Sequence, residues 1–126
     1  MSLTRVEIQD WASAYIEAQQ LSNPADIDDP LWWSIDRFMN CLSPEQAEDA
    51  WSTILEVLAR KPPDDVLGIL AAGPLEDLIE SWGPMFIDRI EVEARDNPNF
   101  HQLLRGVWPS STPEVWQRIE AVRGAE

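Results

Sequence analysis

One histidine, one cysteine and nine basic residues in a chain of 126 leave few routes to chemistry. A Ser-His-Asp or Cys-His arrangement would have to use His101. That residue follows Phe100 at a helical position outside the apolar face, so it reads as a surface histidine. Cys41 cannot close an intramolecular disulfide, which fits a reducing compartment. With no helix-start signal and no adjacent basic residue to lower its thiol pKa, it reads as structural. One His and one Cys cannot build a structural zinc site. The five glycines stand apart, and none precedes Lys and Ser/Thr in the order of a phosphate loop. Nine cations against 23 acidic residues, a formal net charge of -14, argue against nucleic acid and against an anionic membrane surface. The longest near-continuous apolar run, Val66 to Leu75, is too short to span a bilayer. The start MSLTRVEIQDW has no apolar core of signal-peptide length. A cytoplasmic protein without cofactor or metal is expected.

Apolar residues are not scarce. They make up 44% of the chain, enough for a core, and the length suits a single domain over residues 1–126. Seven tryptophans bring large areas to bury. The acidity is spread along the chain, with no acidic tail set apart. It favours solubility and, for a charged partner, a basic one.

Strand signals are weak: β-branched residues are few and no Asn-Gly or Asp-Gly hairpin occurs. Helix signals recur. Thr4-x-x-Glu7 predicts a capping box, with Ile8, Trp11, Tyr15 and Ala18 on one face, ended by Asn23-Pro24. A polar linker over 22–29 follows. Asp29-Pro30 predicts a cap and first-turn proline for a second helix with the stripe Leu31, Ile35, Phe38, Met39 and Leu42. Ser43-Pro44-Glu45-Gln46 repeats the start signal ahead of Ala47, Ala50, Trp51, Ile54, Leu55 and Leu58, and Lys61-Pro62-Pro63 stops that helix. Val66 to Ala72 is apolar almost all round and is expected to be covered on several sides. Gly73-Pro74 and Gly83-Pro84 are expected to cut the stretch 64–95 into three helices. Asn97-Pro98 and Thr112-Pro113 start two more, with faces Phe100, Leu103, Leu104, Val107, Trp108 and Val115, Trp116, Ile119, Val122. The expectation is an all-α protein of six or seven short helices. Their short connections suggest stacked hairpins, as in a short HEAT-like solenoid, or an irregular orthogonal bundle.

The segments DDPLWWSIDRFM (28–39) and LGILAAGPLEDLIESWGPMFIDRIEVEARDNPNFHQLLRGVW (67–108) resemble a family of small bacterial proteins whose domain has no assigned function. The most specific pieces are Asp29-Pro30-Leu31-Trp32-Trp33 and Ala72-Gly73-Pro74-Leu75-Glu76-Asp77-Leu78, and the likeness covers about 28–120. It implies a bacterial source and a stand-alone domain. It implies no activity, cofactor or catalytic residue.

Three constellations remain. Asp26, Asp28 and Asp29 offer oxygens, but the glycine and distal Glu of a calcium loop are missing. Glu76 and Glu80 share a helix face with Asp77 beside them and Asp88 on the next helix, so Glu76, Glu80 and Asp88 are the carboxylates on which a hydrolase-type enzyme would rest. Equally, Glu76 and Asp77 complement the positive end of a helix starting at Gly73-Pro74. Trp32 and Trp33 lie roughly 100° apart on a helix, so both are buried only if two sides are covered. Trp33 exposed beside Asp28 and Asp29 would suit a basic protein partner. Asp28, Asp29, Trp32 and Trp33 are the favoured binding residues, and a non-catalytic adaptor or inhibitor of immunity-protein type is the favoured function. A mimic of nucleic-acid charge is weaker, because the acids alternate with arginines.

Overall fold

In the computed structural model, which describes residues 3–20 and 28–124, regular structure is helical throughout and no strand occurs among the described residues. The elements are α1 (Arg5–Gln19), α2 (Trp32–Met39), α3 (Pro44–Ala59), α4 (Asp64–Leu70), a π-helical segment (Ala71–Leu75), α5 (Glu76–Asp96), α6 (Pro98–Leu104) and α7 (Pro113–Arg123). The all-α expectation holds. The chain divides into two compact units, Met1–Leu67 and Gly68–Glu126, with the boundary inside α4.

In the first unit the caps act as predicted. The Glu7 amide donates to Thr4 Oγ1 at 3.2 Å, and the Thr4 amide donates to Glu7 Oε1 at 2.9 Å. These bonds satisfy amides that a helix start leaves orphaned. Ile8, Trp11, Tyr15 and Ala18 are buried, as their spacing requires. The predicted stop at Asn23-Pro24, and the linker apart from Asp28 and Asp29, lie outside the described residues. Helix α1 packs against both α2 and α3. The Trp11 indole donates to the Ser34 carbonyl at 2.8 Å and lies 4.5 Å from the Phe38 ring, while Tyr15 meets Phe38 edge-on at 5.1 Å. Each fully buried large side chain here stabilises by roughly 1.5–3 kcal/mol.

Helix α2 corrects its predicted stripe. It begins at Trp32, after a turn in which the Leu31 amide donates to Asp29 Oδ1 at 2.8 Å, so Asp29 holds the entry turn and does not cap the helix. Its buried residues are Ser34 and Phe38, with Leu31 and Ile35 half-buried, while Met39 and Leu42 face solvent. The helix stops at Met39, which takes Leu42 off the helical period. At α3, Ser43 caps the Gln46 amide as predicted, but Gln46 Oε1 accepts from the Leu42 amide at 2.7 Å, one residue before the capping-box donor.

The second unit revises the central stretch. Gly68, Ile69 and Ala72 are exposed while Val66, Leu70 and Ala71 are buried, so the all-round apolar segment has an ordinary wet side. Gly73-Pro74 does not end a helix, whereas at Gly83-Pro84 two helices meet across a kink, as the predicted break requires. Pro74 sits in the π segment, where the Glu76 amide reaches back to the Ala71 carbonyl. The wider turn gives the proline ring room that an α-turn lacks. At Pro84, Trp82 leaves helical geometry (φ −132°, ψ 16°) and the helix kinks there. Glycine before each proline removes the Cβ that clashes with the proline ring in helical geometry. A Gly-Pro pair is thus also the pair that lets a helix pass through proline. Helix α5 packs against α6 and α7. Asn97 and Thr112 cap the last two helices as predicted.

Candidate functional site

In the first unit Asp28, Asp29, Trp32 and Trp33 come together at the start of α2. Asp28 is exposed, Asp29 and Trp32 are half-buried, and Trp33 is 38% exposed. Sequence reasoning missed Arg37. Its guanidinium lies 4.8 Å from the Trp33 ring centroid and 5.2 Å from that of Trp11. The i, i+4 spacing of Trp33 and Arg37 was the available signal. One face of the exposed indole therefore already carries a cation from its own chain. On α1, burial pushes the Tyr15 phenol well above its ordinary range.

In the second unit the carboxylates separate. The Trp108 amide donates to Glu76 Oε1 and the Ser111 amide to Glu80 Oε2, each at 2.9 Å. The i, i+4 acids thus hold the loop between α6 and α7. Because α5 continues from the π segment, Glu76 and Asp77 do not occupy a free helix start, and the dipole account of them is withdrawn. Asp88 is drawn to Arg118 at 2.6 Å, and Arg118 also grips Glu91 through Nε at 3.0 Å and Nη2 at 2.5 Å. The Arg118 guanidinium holds the Glu91 carboxyl below its usual range. Glu76, Glu80 and Asp88 are thus committed to two different tasks. Asp77 lies exposed between the two loop-holding acids. Partial desolvation of the carboxyl by its surroundings, then the charges of Glu76 and Glu80, raise its pKa above the ordinary aspartate value. Among the described residues no group of three His, Cys, Asp or Glu side chains is placed to hold a metal ion.

A further departure from expectation is Trp108. Assigned to the core by its spacing from Phe100 and Leu104, it is 73% exposed. Helix α6 ends at Leu104, and the chain turns at Gly106 before the indole is reached. The pair Gly106 and Pro109 was the local signal for that ending.

A family model described as a family of unknown function (DUF6869) matches residues 21–126. The chain belongs to this family. Within DUF6869 the match takes in both surfaces described above, α2 and the Trp108 loop. No curated protein and no solved structure matches the chain. No helix among the described residues is long and apolar enough to cross a membrane.

Proposed function

We propose that this DUF6869 protein is a non-catalytic interaction module, an adaptor or inhibitor, that binds a basic protein partner. The observation that carries the reading is the exposed aromatic surface of α2 on a chain of net charge -14. Trp33, Asp28 and Asp36 are exposed along this segment, as are Met39 at the end of the helix and Leu42 beyond it. Aromatic anchors rimmed by charge are where interface energy concentrates. Acidic fields raise association rates with basic partners and are screened by salt. A cytoplasmic location and a bacterial source belong to the same reading.

The test is recovery of a partner on immobilised protein, followed by binding measured with the purified components. A partner of basic isoelectric point is expected, with affinity falling as salt rises. Trp33→Ala combined with Asp28→Asn should weaken it, and Asp29 is left in place because it holds the Leu31 amide. An affinity indifferent both to salt and to these substitutions refutes the reading.

A further inference from the structure

The loop over 105–112 is held more firmly than a connection between two helices needs. From α5, Glu76 and Glu80 accept the amides of Trp108 and Ser111. From α7, Arg123 Nη1 donates to the carbonyls of Val107 at 2.9 Å and Leu104 at 3.4 Å. Ser111 adopts a left-handed φ of 67°, uncommon for a residue with a side chain. Gly106 passes so close to α4's continuation that a Cβ there would come within 3.0 Å of the Ala71 side chain. Ordering a loop in this way costs conformational entropy, yet none of it hides the indole of Trp108. Single exposed apolar residues are ordinary. An exposed indole on a backbone fixed from two helices is less so, because fixing an anchor in advance lowers the entropy lost on binding.

We propose that Trp108, with the carboxylates of Glu76, Asp77 and Glu80, forms a docking surface for an arginine- or lysine-bearing segment of a protein partner. The proposal rests on the basic-partner reading above and places a second contact in the second unit. Charge complementarity selects the occupant. Three acids lie within one and a half turns of α5 at the root of the loop, and the one basic residue of the loop itself is Arg105. Glu76 and Glu80 each use one oxygen on the loop and keep the other for a second donor. Asp77 has no ion-pair partner among the described residues, and its charge is disfavoured first by partial burial and then by Glu76 and Glu80, a repulsion that an incoming cation offsets. The other ring contacts point the same way. Trp11 and Trp33 share Arg37, Phe86 carries Arg89 at 4.4 Å, and Trp116 carries Arg123 at 4.7 Å. Trp108 has no such cation from the described residues, so its faces stay available. A second copy of the chain would bring its own excess of acid to the same place.

The test uses octa-arginine as probe on the full chain at about 0.15 M salt. Binding is read by fluorescence anisotropy and by the indole N–H resonances, with Trp108 assigned through Trp108→Phe. The Trp108 resonance is expected to shift, and Trp108→Ala to weaken binding by about tenfold or more. Glu76→Gln with Glu80→Gln is also expected to weaken it while leaving the loop amides protected, because a glutamine oxygen still accepts their hydrogen bonds. Loss on Trp33→Ala with no effect of Trp108→Ala overturns this proposal and leaves the α2 reading standing. Indifference to both substitutions removes both. A Trp108 resonance that moves on simple dilution of the protein, without peptide, assigns the surface to a second copy and overturns the proposal as well.

Discussion

Gly83 is the position where a single methyl group tests the second unit most directly. An ideal Cβ there would collide with Ser111 Oγ and would lie 3.1 Å from both Ser111 Cβ and Val115 Cγ1. Neither neighbour yields easily. The Ser111 amide is tied to Glu80, its φ is already left-handed, and Val115 is buried on α7. Overpacking of this kind costs about 1–3 kcal/mol. Against it stands the helical gain of alanine over glycine, about 1 kcal/mol. A second cost comes from the methyl preceding Pro84. Gly73→Ala shares that pre-proline cost ahead of Pro74, but nothing lies within 4 Å of its added Cβ. Gly68→Ala has open space and no following proline. The expected order of stability is therefore Gly68→Ala above the parent, and Gly83→Ala below Gly73→Ala by about 1–3 kcal/mol.

Urea unfolding followed by tryptophan fluorescence measures the series. With a slope of about 2 kcal/mol per molar urea, a difference of about 2 kcal/mol moves the midpoint by about 1 M. The comparison holds where the slopes agree between variants. Gly83→Ala should also shift the amide resonances of Ser111 and Val115, which Gly73→Ala should leave in place. A Gly83→Ala protein as stable as Gly73→Ala refutes the close packing of the loop on α5.

Four further outcomes follow from the geometry. Tyr15 is the sole tyrosine, so tyrosinate absorbance reports it alone. Its folded pKa is raised, so its contribution to stability is full below the unfolded value of 10.0 and is lost as pH rises from there towards the folded value. Stability should fall by about 1.4 kcal/mol per pH unit over that window, and Tyr15→Phe should abolish the slope. Trp11→Phe removes the 2.8 Å indole hydrogen bond to the Ser34 carbonyl and should cost about 0.5–1.5 kcal/mol from that bond alone, read by the same urea midpoint. Glu76→Ala with Glu80→Ala should speed hydrogen exchange at the Trp108 and Ser111 amides, whereas the matching glutamine pair should not; equal exchange in both would mean that the carboxylates do not hold the loop. Asp77→Asn should stabilise the protein at neutral pH, because the charge it removes is the form that burial and Glu76 and Glu80 disfavour, and a thermal midpoint that drops would contradict that assignment.

The parts of the fold legible in the sequence are those decided within a few residues. Thr4, Ser43, Asn97 and Thr112 cap helices because a short side-chain oxygen reaches its own backbone wherever the chain happens to sit. The predicted face of α1 follows from spacing, and so does most of that of α3, where Val57 and Thr53 are buried outside the predicted stripe and Leu55 is half-buried. Spacing failed where an element ended early. It carried the stripe of α2 on to Leu42 and that of α6 on to Trp108, past ends at Met39 and Leu104. It also cannot decide whether glycine before proline stops a helix or lets it continue, since the same missing Cβ serves both. What decides is the structure around the pair: the π turn at Pro74 and the kink at Trp82.

The candidate site divides in the same way. Asp28, Asp29, Trp32 and Trp33 are close in sequence, so their meeting at the start of α2 was legible, as was the greater exposure of Trp33. Glu76 and Glu80 serve donors 32 and 31 residues away, and no local pattern encodes an acceptor for so distant a loop. Their i, i+4 spacing suggested a shared purpose, and the purpose is shared, but it is to hold backbone amides. That assignment changes what the acids can offer. A carboxylate bonded to a backbone amide keeps a second oxygen but gives up the freedom to move, and at Glu76 and Glu80 that oxygen is what the proposed docking surface uses. The helical stretch from Asp64 to Asp96 is thus more than a support for the core. Its acids set the loop in place, its Gly83 leaves room for Ser111, and together they hold outward Trp108, the most exposed indole of the second unit.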